Sequence, residues 1–156
     1  MEKKMLYGLF TLCLLSSPFI LKGSKLRESL IVFFSKGVVS TLIDTYVVAN
    51  KRVVYPVRPF PEIFKTNIMF DMLFFPLLSV IWVKQTYHDG LGKILLKSLT
   101  WSVPMSVTQL YLVKNTRLIH WKKWSPFHTF GYVSFTLFLI RGLVALVKGM
   151  DKSKSP

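Results

Sequence analysis

A single cysteine, Cys13, occurs in the whole chain. That excludes an intrachain disulfide and every metal site built from several cysteines. Phe10-Thr11-Leu12 before it lacks the small residues of a lipoprotein signal, so its place in an apolar run makes it buried filler. Acidic residues are scarce as well: 7 Asp and Glu stand against 21 Lys and Arg, a formal charge of +14. No glycine-rich phosphate loop is present. The 3 histidines, His88, His120 and His128, show no recognised metal-ligand spacing. Long polar stretches are missing too, so no soluble catalytic domain can fold between the apolar runs. Any chemistry has to lie within the helices or at their ends.

What the chain has instead is five apolar runs, at residues 5–21, 30–48, 68–83, 94–113 and 127–147. A spanning helix needs about 20 mostly apolar residues at a rise of about 1.5 Å each, and each run is close to that. A hydrophobic fraction of 51%, an aromatic fraction of 15% and a mean hydropathy of +0.43 agree. The expected fold is all-α: a polytopic integral membrane helix bundle of about five transmembrane helices, forming one domain over residues 1–156. The first run follows Glu2-Lys3-Lys4 like a signal peptide, but no A-x-A cleavage site ends it. It is read as a retained helix of a multi-pass protein of the cell membrane.

The positive charge sits at the ends of the runs, where lysine and arginine snorkel to lipid phosphates. Anionic lipid headgroups are therefore the expected partner, and nucleic acid is not. If all five runs span, the N-terminus and the connections 49–67 and 114–126 share one face. The connections 22–29 and 84–93 and the C-terminus share the other. Ten basic residues then lie on the first face and nine on the second, so the positive-inside rule leaves the orientation open.

Pro76 and Pro104 lie inside runs and predict bends, since proline removes one backbone bond of a helix. Thr66 and Asn67 are capable of capping the third helix. The segment 49–67 carries Pro56, Pro59 and Pro61, which forbid a helix and favour an extended, stiff chain. With 114–126 it supplies a candidate interfacial rim of aromatic and basic residues: Tyr55, Arg58, His120, Trp121, Trp124 and His128. The tail 151–156 is polar and expected to fray.

Ionisable residues inside spans cost about 2.5–3.5 kcal/mol each and are often functional. Four qualify: Lys36, Asp44, Asp71 and Arg141. Lys36 and Arg141 lie near the second face and are expected to snorkel. Asp71 is in the first turn of its helix, where the dipole favours an acid. Asp44 is about 6 Å inside the first-face end of its run, where an acid opposes the dipole. Matched in depth to the two aspartates are Arg58, Arg117, His120 and His128. The candidate charge network is Asp44, Arg58, Asp71 and Arg117, tying the two connections to the bundle.

Tyr55-Pro56-Val57-Arg58, then Thr66-Asn67-Ile68-Met69-Phe70-Asp71 opening a span with Pro76 shortly after, then Thr116-Arg117-Leu118-Ile119 with Trp121 and Trp124, form an ordered set of motifs. The set resembles an uncharacterised family of small multi-spanning membrane proteins of spore-forming Gram-positive bacteria, over about residues 50–135. The resemblance implies a cell-membrane protein of this size with an acid at position 71, and carries no assigned activity. Lys122, Lys123 and His128 stand where that family's pattern is more aromatic.

No catalytic residue, cofactor or metal ligand is expected. The first reading is a non-catalytic membrane subunit or interaction protein that binds a membrane-protein partner or a second copy through the rim. The alternative is an ion, proton or small-solute transport component using Asp44 and Asp71.

Overall fold

A computed structural model describes residues 1–23 and 25–153. Each apolar run has become one helix: α1 (Glu2–Leu21), α2 (Leu26–Ala49), α3 (Phe75–Gln85), α4 (Leu91–Asn115) and α5 (Pro126–Ser153). A π-helical turn, Phe70–Phe74, leads directly into α3. Two short strands, β1 (Val53–Val54) and β2 (His120–Trp121), pair antiparallel, with Val53 opposite Trp121 and Val54 opposite His120. The described residues are thus all-helical apart from that ribbon. Three helices, α1, α2 and α5, are long and apolar enough to cross a membrane.

The bundle is apolar outside and partly polar inside. Leu15, Phe19, Leu42, Leu96, Val107 and Leu146 are exposed, whereas Ser40, Ser98, Ser102, Thr129 and Thr136 are buried. In water that distribution would waste hydrophobic driving force; among lipid tails it costs nothing, and packing and interhelical hydrogen bonds hold the helices together. Along α4 the buried residues Ser98, Ser102 and Ser106 recur every fourth position. Their small side chains let α5 approach closely, and the Ser102 and Ser134 hydroxyls meet at 2.9 Å.

Two apolar clusters fill the interior. Val32, Val80, Trp82, Ile94, Ile140 and Val144 close the end near the α3–α4 connection. Leu6, Val47, Val53, Phe70, Leu118 and Ile119 fix the strand ribbon against the opposite end. Between them, Gly37 of α2 faces the π turn: a Cβ built there would stand 3.4 Å from Met72 Sδ and 3.9 Å from the Asp71 carbonyl oxygen. The turn packs directly on α2, leaving room at this position for little more than a methyl group.

Several expectations change. The tail residues 151–153 continue α5, and Arg27 Nη1 donates to Asp151 Oδ2 there at 3.2 Å. Residues 154–156, Lys154 included, lie outside the described residues. Asn67 starts its helix through its backbone: its carbonyl accepts from the Phe70 and Asp71 N–H groups at 3.0 and 3.2 Å, and its side chain caps nothing. The disturbance expected at Pro76 falls one turn earlier, as the wide π turn, where the Phe75 N–H reaches the Phe70 carbonyl. Arg141, expected to snorkel, donates from Nη2 to the Thr86 and Tyr87 carbonyls at 3.2 and 3.1 Å, while its buried Nε has no partner in the protein. Lys36 does not snorkel.

Candidate functional site

Lys36, Ser40 and Asp44 are spaced four apart on α2, so helical geometry stacks them along one face. That face turns inward. Lys36 is 4% exposed and Ser40 is completely covered. Lys36 Nζ donates to Thr136 Oγ1 of α5 at 2.5 Å and lies 5.1 Å from the centre of the Tyr132 ring. Burying an ammonium is costly unless it is bonded, and here one hydroxyl and one aromatic face receive it.

The π turn supplies the second acid. Widening the helix by one residue changes which side chains face the bundle, and such turns recur at functional sites. Asp71, 2% exposed, points at α2. It lines the same cavity as Asp44. Oδ2 of each finds no donor in the protein.

The segment after α2 adds a donor. Tyr55, 5% exposed, gives its hydroxyl proton to Asp44 Oδ1 at 2.9 Å. Burial, and then the Asp44 charge, hold the Tyr55 hydroxyl well above the usual tyrosine range, so it stays a donor. From the other side, Trp124 Nε1 donates to Thr129 Oγ1 at 2.9 Å, and Thr129 donates to Gln109 Oε1 at 2.5 Å.

These groups line a cavity of about 20 Å³ that Asp44, Tyr55, Asp71, Gln109, Thr129 and Tyr132 share. A second cavity of about 20 Å³ lies beside Lys36, Trp101 and Leu137. Phe75 and Tyr132 border both. Each has room for about one water molecule.

The expected Asp44–Arg58–Asp71–Arg117 network is not what the chain builds. Arg58 turns back on its own segment: Nη1 donates to the Tyr55 carbonyl at 2.7 Å, Nε to that of Phe64 at 2.7 Å and Nη2 to that of Pro61 at 3.2 Å. Arg117 lies near Glu2 of α1. Neither forms an ion pair with an aspartate among the described residues. The guanidinium is satisfied by a turn that proline has already shaped, so nothing draws it into the bundle.

The expected rim divides in the same way. Tyr55 and Trp124 face the cavity, Trp121 is half-buried in the ribbon, and His120 and His128 are exposed. His128 Nδ1 and the Ser125 hydroxyl are 2.7 Å apart. Sequence reasoning missed Ser40, Thr129, Tyr132 and the inward Lys36. The Lys36, Ser40, Asp44 spacing was the available signal.

Comparison of the chain with models of protein families, with characterised proteins and with solved structures finds no match.

Proposed function

We propose that the chain is a multi-pass protein of the cell membrane that acts as a component of proton or ion movement, with Asp44 and Asp71 as the ion-binding groups. The observation that carries this reading is that two carboxyl groups line one small cavity inside an apolar bundle, each with an oxygen free of protein donors. Two such acids in hydrocarbon are expensive to keep and add little to stability. A cation or a proton between them relieves the cost.

All five helices cross in this proposal. With the π turn, the third helix is continuous over residues 68–85, about 27 Å at helical rise. The 25 residues of α4 reach further. Either suits a hydrocarbon core of about 30 Å. The polar face of α2 ends against the apolar cluster around Val32, Val80 and Ile140. A complete path therefore needs a second copy or a partner membrane protein, and the chain serves as a non-catalytic subunit.

A second reading rests on the strand ribbon. It joins the 49–67 and 114–126 segments into one surface, with Phe60, Ile63, His120, Lys122 and Phe127 exposed. That surface suits anionic headgroups or a membrane partner, as an interaction protein without ion movement.

Proton uptake into proteoliposomes, driven by a potassium diffusion potential, separates the two. The transport reading expects uptake above protein-free vesicles that Asp44→Asn and Asp71→Asn remove. Uptake equal to empty vesicles, from protein shown to be folded, leaves the interaction reading.

A further inference from the structure

We propose that the ion of this site is a proton, held singly between Asp44 and Asp71 and exchanged with Lys36 through the Tyr132 hydroxyl. The inference rests on the transport reading for its purpose, but its chemistry is independent of that reading.

Two carboxylates are acceptors only, and they hydrogen-bond to each other only when one carries a proton. Asp44 and Asp71 line one cavity with room for about one water, and Oδ2 of each has no donor in the protein, so one proton between them supplies what both oxygens lack. Charge balance gives the same count. The charged groups facing this interior are Asp44 and Lys36 from α2 and Asp71 from the π turn. The 53–55 segment adds the Tyr55 hydroxyl, α5 adds that of Tyr132, and α4 adds only the neutral Gln109. With one proton on the acid pair and Lys36 as an ammonium the cluster is neutral, the cheapest state where the surroundings screen little.

The space argues against a metal ion. Each cavity, at about 20 Å³, admits roughly one water, whereas an alkali or alkaline-earth cation needs about six oxygen ligands. No group of three or more His, Cys, Asp or Glu side chains converges among the described residues. Lys36 already supplies the positive charge a metal would bring.

Tyr132 supplies the link. Its ring borders both cavities, its hydroxyl has no partner in the protein, and the fully covered Ser40 hydroxyl lies near it, equally unpartnered. A hydroxyl can accept a proton on a lone pair while releasing its own. Lys36 first gives its ammonium proton to a water in the second cavity, which carries it out along the path that a second copy or partner completes. The cluster is left with one negative charge. The acid pair then loses its proton through a water in the first cavity. Tyr132 passes one on into the second cavity, and the neutral Lys36 amine takes it up as an ammonium, with no further change in total charge. A proton entering beside Tyr55 restores the neutral, loaded state.

The test is infrared spectroscopy of the purified full chain in lipid nanodiscs at neutral pH, reading the carbonyl band of protonated carboxylic acids on exchange from H₂O to D₂O. Wild type is expected to show a band that shifts in D₂O, and Asp71→Asn is expected to abolish it. Removing the lysine charge forces a second proton onto the pair, so Lys36→Gln is expected to raise the band about twofold. Lys36→Met is the control if Lys36→Gln does not elute as a folded species. A structural role for Lys36 predicts no such rise. Absence of the band in wild type, or an unchanged band in both lysine variants, overturns the proposal. Tyr132→Phe is expected to keep the band and lose at least tenfold in proton uptake; undiminished uptake overturns the Tyr132 link. A band behaving as expected without uptake by wild type refutes the transport reading and leaves the proton site standing. Uptake of sodium with no band refutes the proton site and leaves transport standing.

Discussion

The Tyr55 hydroxyl donates to Asp44 Oδ1 at 2.9 Å, fastening the segment that follows α2 to the helix it has just left. Hydrogen bonds to charged groups contribute about 1.5–3 kcal/mol. Tyr55→Phe is therefore expected to lower Tm in detergent by the equivalent of about 2 kcal/mol. Because burial raises the folded value of the Tyr55 hydroxyl, its contribution is complete below the unfolded value of about 10 and is lost as pH rises beyond it. The Tm difference between wild type and Tyr55→Phe should thus be flat through neutral pH and change only in strong alkali.

Arg58 braces its own turn through the carbonyls of Tyr55, Pro61 and Phe64. Arg58→Ala is expected to expose the following Lys65 to trypsin. Arg58→Lys should rescue little, since an ammonium does not reproduce the fork of the guanidinium. In a double-mutant cycle with Asp71→Asn the effects should add to within about 0.5 kcal/mol. A larger coupling would reinstate the Arg58–Asp71 network.

Gly37 lets the π turn lie against α2. Because a Cβ there meets Met72 Sδ at 3.4 Å, an ordinary contact, Gly37→Ala should change Tm little. Gly37→Leu must push the turn away, at a cost of about 1–3 kcal/mol, and separate Asp71 from Asp44. Thermal unfolding, read together with the carboxyl infrared band, checks both halves.

The serine face of α4 makes a similar prediction. Ser102→Ala removes one interhelical hydroxyl contact and is expected to cost about 0.6 kcal/mol. Ser102→Leu should force α4 from α5 and lower the yield of monodisperse protein far more. Equal effects of the two substitutions would count against close α4–α5 packing.

If all five helices cross, as proposed, the sidedness of single-cysteine labels is fixed. In a Cys13→Ser background, Glu62→Cys and Lys123→Cys should react with an impermeant maleimide from one side of the membrane. His88→Cys and Lys152→Cys should react from the other. All four labelling from one side would limit the crossings to fewer helices.

The sequence by itself determined the elements. A long apolar run satisfies its own backbone as a helix, so all-helical structure and helix positions were legible from composition and length, as were three helices long and apolar enough to cross a membrane. The acids at 44 and 71 stood out for the same reason: a charge in an apolar run has few explanations. Tertiary structure decided what those acids meet. Depth along a span pointed to Arg58 and Arg117, but depth carries no azimuth, and a guanidinium takes the nearest carbonyls when a proline turn presents them. The π turn shifts the helical phase of Asp71 by one residue, which periodicity alone does not reveal. A small residue at 37 then lets that turn lie against α2. Lys36 could snorkel or turn inward by length alone; Thr136 and Tyr132, a hundred positions away in sequence, settle which way it goes.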